Sequence, residues 1–209
     1  LNAAFWNMSE NCSCGSRLIV DASVKDALLE KVKAGVSSWK LGDPRDEDVV
    51  VGPMVEGPHF EKVKSFIATT EKEGGKLVQG GKIHSDLGSG WYIEPTIFDN
   101  VTADMTLFQQ EVFGPILAVT TFTSEEEAVA LANDSSYGLA ASLYTENLRC
   151  AQRVSRAIRA GTVSINGFSE GDITTPFGGF KQSGFGGRDK GLEALQQYVQ
   201  TKTIWYVQD

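Results

Sequence analysis

Strand-length apolar runs alternate with helices of amphipathic spacing along most of this chain, and that alternation constrains the fold more than any other feature. The clearest run is Ile116-Leu117-Ala118-Val119-Thr120-Thr121-Phe122, uncharged throughout and preceded by Gly114-Pro115. It reads as a buried strand. Ser124-Glu125-Glu126-Glu127 follows as a capping box: the Ser124 hydroxyl is set to cap an early amide while Glu127 reaches back, and the helix continues through Ala132. Upstream, Val24, Leu28, Leu29, Val32 and Val36 fall on related turns of a helix over 24–39, broken by Gly42-Asp43-Pro44. Phe60, Val63, Phe66 and Ile67 stripe a second helix over 58–73, stopped by Gly74-Gly75. Further strands are predicted at 17–20, 76–78, 92–98, 139–144 and 161–166, with a helix at 148–158. Such alternation indicates an α/β layer structure.

The last section differs. Residues 192–198 read as a short helix and Thr201–Val207 as a strand without an evident partner in its own domain. An apolar edge there invites pairing with another chain; the alternative is a strand folded back on its own sheet.

A chain of 209 residues, 41% of them hydrophobic, builds one substantial domain or one domain plus a small appendage. With 27 acidic against 19 basic residues the net charge is −8, which argues against a nucleic-acid surface. No apolar run reaches membrane-spanning length, and no basic-then-apolar leader opens the chain. Cys12, Cys14 and Cys150 are an odd set without framework spacing, so a secreted disulfide scaffold is not expected. His59 and His84 lie far apart, with no cysteine at metal-ligand spacing, and no metal is expected. Neither a Gly-x-x-x-x-Gly-Lys-Ser/Thr loop nor a Gly-x-Gly-x-x-Gly fingerprint occurs, so no dinucleotide-binding half is evident.

Candidate chemistry centres on Cys12. It follows a predicted helix end and precedes Gly15, where backbone can come close to a substrate; a thiolate there can attack a carbonyl and carry an acyl group. A buried structural cysteine is the competing reading, and Cys150, inside a helix beside Ala151 and Val154, reads as core. Glu111 in Gln110-Glu111-Val112-Phe113-Gly114-Pro115 stands just before the apolar strand. Its carboxylate suits ribose hydroxyls and Phe113 suits a flat ring, against the alternative of a solvent-facing acid and a core aromatic. Asn166 ends a strand and either orients a substrate or forms a turn.

Taken together, Asn11-Cys12-Ser13-Cys14-Gly15-Ser16-Arg17, Glu111-Val112-Phe113-Gly114-Pro115 and Pro176-Phe177-Gly178-Gly179-Phe180-Lys181-Gln182-Ser183-Gly184 resemble the C-terminal catalytic part of the NAD(P)-dependent aldehyde dehydrogenase superfamily, in order and in separation. The pattern is nearest to its aminoaldehyde and gamma-glutamyl-aminobutyraldehyde members. The resemblance implies a three-layer α/β catalytic domain over 1–198, with an oligomerisation strand over 199–209. It implies that Cys12 forms a thiohemiacetal with the aldehyde and then a thioester that is hydrolysed to a carboxylate. It also implies that Glu111 and Phe113 hold the nicotinamide end of NAD or NADP, that His59 and Lys62 reach the other ribose, and that Asn166, Asp172 and Phe177 line the substrate tunnel. Asp172 would attract a cationic amine, or is a plain surface acid.

A homo-oligomeric, cytoplasmic parent enzyme is expected. In the family the cofactor domain, the oxyanion-holding asparagine and the general-base glutamate precede the segment matched here, so this chain alone is expected to be inactive in oxidation and to bind no NAD(P) tightly. A non-catalytic oligomerisation module or a weak thiol esterase are the alternatives. One departure bears on the chemistry: Ser9-Glu10 stands where common members have Gly-Gln, and a charge at Glu10 disfavours a Cys12 thiolate unless it points away.

Overall fold

The computed structural model describes residues 1–169 and 171–208. A single helical turn, α1 (Asn2–Phe5), runs into a 3-10 turn over Trp6–Ser9. After the cysteine loop come β1 (Arg17–Asp21) and α2 (Lys25–Ser37). Val24, counted in the apolar stripe, instead flanks the helix as its N-cap and is exposed, because the turns that face the sheet begin at Leu28. A short parallel pair, β2 (Lys40–Leu41) and β3 (Val49–Val51), leads to α3 (Gly57–Glu73). Pro58 starts α3 where its missing N–H does no harm, and Gly74 ends it at φ 98°, with Gly75 N–H returning to the Thr70 carbonyl.

Next are β4 (Lys76–Gln79), the antiparallel pair β5 (Ile83–His84) and β6 (Tyr92–Ile93), and β7 (Thr96–Asp99). The single strand expected over 92–98 is therefore two. Pro95 has no N–H for a ladder, and Thr96 N–H turns to the Pro115 carbonyl instead. The turn α4 (Thr106–Gln109) precedes β8 (Ile116–Phe122), and α5 (Glu125–Asn133) follows. Ser124 Oγ accepts from Glu127 N–H at 3.1 Å, as the capping box requires, while Glu127 reaches back to the Thr123 amide and hydroxyl. The remaining elements are β9 (Tyr137–Gly138), β10 (Ala140–Leu143), α6 (Leu148–Ala157), β11 (Thr162–Ile165), β12 (Phe180–Lys181) and a 3-10 helix over Leu192–Tyr198.

The main sheet has the order β1-β8-β7-β4, with β1 and β7 parallel to β8 and β4 antiparallel to β7. Alternation along its inner strands divides the core. Ile97, Leu117 and Val119 pack with Phe5, Leu29 and Val36 on the α1–α2 side. Phe98, Ile116 and Ala118 pack with Phe60, Val63 and Phe66 of α3 on the other. Helix, sheet and helix thus form three layers. β10 and β11 pair in parallel, apart from this sheet.

Thr201–Val207 forms no ladder among the described residues, and Ile204, Trp205, Tyr206 and Val207 are exposed. Strand propensity is realised only against another backbone, and none pairs with this segment among the described residues. Residue 209 lies outside the described residues. Among the described residues, no helix is long and apolar enough to cross a membrane, and no group of three or more metal-ligating side chains gathers.

Candidate active site

Cys12 lies on a loop between the 3-10 turn and β1, and the approach to it is strained. Asn7, Met8 and Ser9 take φ of 52°, 53° and 58°, three successive non-glycine residues in the left-handed region. Each costs on the order of 1 kcal/mol. The turn is held from several sides. Ser9, 1% exposed, donates its hydroxyl to the Ala4 carbonyl at 2.6 Å. Glu10 N–H donates to Asn7 O at 2.9 Å, and Asn7 Nδ2 returns to Glu10 O at 3.0 Å. Gly15 N–H reaches Ala3 O at 2.7 Å, and a Cβ on Gly15 would stand 3.3 Å from that oxygen, so the backbones meet here because the residue is small. Asn11 Oδ1 accepts from both the amide and the hydroxyl of Ser13 at 3.2 Å. Cys12 is left on the outside of the loop, exposed.

Two residues on, Cys14 is a different thiol. Its Sγ donates to the Ala4 carbonyl at 3.1 Å. Burial pushes it up to about 11; the Ser9 hydroxyl pulls the other way and the Glu111 charge adds to the rise. At neutral pH Cys14 is a protonated structural group, and Cys12 is the thiol open to a substrate. Cys150, half-buried on α6 under the Asn147 cap, is less enclosed than a core residue.

A shallow cleft beside Cys14 brings the second motif to this turn: Glu111, Phe113 and Gly114 line it together with Ser9 and Asn11. Glu111 is exposed, and no protein hydrogen bond occupies its carboxylate among the described residues. Val112 is buried, and Phe113 takes φ 60°. α3 holds this loop by its backbone: His59 Nε2 lies 2.6 Å from the Phe113 carbonyl, and Lys62 Nζ donates to the Glu111 carbonyl at 3.4 Å. His59 and Lys62, expected to face a ribose, are thus placed against the loop that carries Glu111.

The Glu10 carboxylate is engaged elsewhere: its Oε1 accepts the Val55 N–H at 3.0 Å and stands 3.7 Å from His59 Nε2.

Asn166, Asp172 and Phe177 are each held by local contacts. Asn166, at φ 55°, accepts from Thr145 N–H at 2.8 Å and donates to Thr145 O at 2.9 Å, so its amide extends the β10–β11 pair. Asp172 is exposed; its Oδ1 accepts the Thr174 hydroxyl and amide, and these hold its carboxyl below the usual range. Phe177 exchanges backbone hydrogen bonds with Asp189, and Lys190 Nζ stands 5.1 Å from its ring centroid. No hydrogen bond, ion pair or ring contact joins these three to Cys12 among the described residues.

Two positioning cations were not singled out from the sequence. Arg17, at the start of β1, donates to the carbonyls of Leu131, Ala132 and Asp134 at 3.3, 3.0 and 3.3 Å and lies 4.7 Å from the Phe108 ring centroid. Lys181 donates to Asn133 O and Ser135 O at 2.7 and 2.8 Å. Both cations meet the negative end of α5, tying the strand after Cys12 and the glycine-rich loop after Phe177 to one helix terminus. A lone arginine opening an otherwise apolar strand was the available signal.

The sequence model of the Aldehyde dehydrogenase family matches residues 1–204. An aminoacetaldehyde dehydrogenase of Pseudomonas aeruginosa is 51% identical over 98% of this chain and 40% of its own length. The NADP/NAD-dependent aldehyde dehydrogenase PuuC of Escherichia coli is 43% identical over 96% of this chain and 40% of its own. Among solved structures, the aldehyde dehydrogenase KauB from Pseudomonas aeruginosa superposes with a TM-score of 0.94 at 45% identity, covering 98% of this chain and 41% of that one. An indole-3-acetaldehyde dehydrogenase in complex with NAD+ gives 0.94 at 46% identity, with the same coverage. The chain spans about two-fifths of the length of the curated relatives it matches.

Proposed function

Because this chain belongs to the aldehyde dehydrogenase family, we propose that it carries the nucleophile of an enzyme that oxidises an aldehyde to a carboxylate. One observation carries the reading. The exposed Cys12 shares its turn with a protonated, hydrogen-bonded Cys14, and the exposed Glu111 stands at that same turn.

Cys12 Sγ, as the thiolate, forms a bond to the carbonyl carbon while the carbonyl electron pair moves to oxygen, giving a thiohemiacetal. Glu111 and Phe113 suit NAD or NADP: an exposed carboxylate with open acceptor sites matches vicinal ribose hydroxyls, and an aromatic ring lines the same cleft. The nicotinamide, when bound, supplies the two-electron acceptor for hydride. Cys12 then holds the acyl group as a thioester until water adds to its carbonyl carbon; the C–S bond breaks, carboxylate and thiolate separate, and the two protons of the water pass to solvent. Oxidation is assigned to the whole protein, since this chain spans only part of its relatives' length.

The substrate class we favour is an aminoaldehyde. Asp172 is exposed and held ionised by Thr174, so it offers a fixed negative charge to an ammonium group, and the 51% identical relative is named for aminoacetaldehyde. Self-association through Thr201–Val207 is a second, independent proposal, carried by the exposed apolar side chains there.

In the whole protein, Cys12→Ala is expected to abolish NAD(P)-dependent aldehyde oxidation, while Cys14→Ala retains it. Full oxidation by the Cys12 variant would overturn the assignment.

A further inference from the structure

We propose that His59, steadied by Glu10, is a positioning residue that sets where Glu111 stands relative to Cys12; the inference rests on the cofactor reading of Glu111 given above. The Glu111–Phe113 loop needs such a support. Phe113 is a non-glycine residue at φ 60°, a conformation that persists only when its surroundings over-determine it. Val112 anchors the loop in the core, and the Lys62 contact to the Glu111 carbonyl is long at 3.4 Å. The short contact is from His59 Nε2 to the Phe113 carbonyl, 2.6 Å. A carbonyl only accepts, so Nε2 carries the proton.

Glu10 lies beside that donor, and its carboxylate attracts the same N–H. Its side chain is 10% exposed, is fixed by the Val55 amide, and places Oε1 3.7 Å from the same nitrogen. Its backbone is tied to Asn7 on both sides, and it stands two residues before Cys12. A continuous path therefore runs from the nucleophile turn through Glu10 and His59 to Phe113 and Glu111.

The test compares His59→Ala, His59→Gln and Glu10→Gln in the whole protein, with amide exchange at residues 111–114 and at α5 as the readout alongside kinetics. In His59→Ala, exchange at 111–114 rises about tenfold or more while α5 is unchanged. The KM for NAD(P) rises by a larger factor than kcat falls, and His59→Gln, which can still donate to the Phe113 carbonyl, restores both. Unchanged exchange or unchanged KM in His59→Ala, or failure of His59→Gln to restore them, overturns the proposal. If His59→Ala also loosens α5, Glu10→Gln decides. It keeps an acceptor for Val55 but removes the charge, and a raised KM supports the proposal while an unchanged one overturns it. Glu111→Gln run alongside separates the two levels. No change in KM there sinks the cofactor reading itself, whereas a raised KM there with an unaltered His59→Ala sinks only the positioning role.

Discussion

Cys14 should resist alkylation in the folded protein while Cys12 reacts, and the size of the difference follows from the structure. Burial pushes the Cys14 thiol from an ordinary 9.0 up to about 11. At pH 8 that lowers its thiolate fraction from roughly one in ten to roughly one in a thousand, a ~100-fold loss of reactive form before steric protection is counted. Iodoacetamide at pH 8, followed by fragment-ion mass spectrometry of the peptide bearing both thiols, should label the exposed Cys12 first, and Cys14 about a hundred times more slowly than the same thiol in denaturant. Native-state labelling of Cys14 within about threefold of its rate in denaturant would refute the reasoning. The same shift has a pH signature. A folded-state value raised above the unfolded one contributes stability that is fully present below pH 9.0 and lost as pH rises towards about 11, on the order of 3 kcal/mol in all. The stability gap between the protein and its Cys14→Ala variant should therefore be flat below pH 9 and change through that window.

Three further outcomes are expected. Asp172→Asn should raise KM about tenfold for an ω-aminoaldehyde and leave a neutral aliphatic aldehyde unaffected, by steady-state assay of the whole protein; equal effects on both would remove Asp172 from substrate choice. Gly161→Ala puts a Cβ 1.6 Å from the Gly178 carbonyl oxygen, at the start of β11, and should cost about 2 kcal/mol or more by urea unfolding, since backbone must shift. Removing residues 201–209 should lower the oligomeric state seen by sedimentation velocity, and an unchanged state would end the association reading.

Much of the layer structure was legible because it is local. The α3 stripe of Phe60, Val63 and Phe66 repeats at helical spacing and ends on a glycine in the left-handed region, and both signals lie within a few residues of each other. The uncharged run at 116–122 became the strand with both neighbours parallel to it. Where local signals conflicted, the reading failed: Pro95 broke one expected strand into two.

The site divides the same way. Cys12, Glu111 and Phe113 are visible in the sequence as motif residues, and the roles proposed for them rest on those side chains. How they are held is not. Glu10 meets Val55 across 45 residues, His59 meets Phe113 across 54, and Arg17 meets the end of α5 across more than 110. Sequence by itself determined the alternating α/β layers and the likeness to a family, and it put Cys12 forward as the candidate nucleophile. Only the tertiary structure decided that Glu10 meets Val55 and His59, that Cys14 is held protonated and that α3 contacts the Glu111 loop. Those outcomes depend on burial and on distances between segments remote in sequence, which no local pattern encodes.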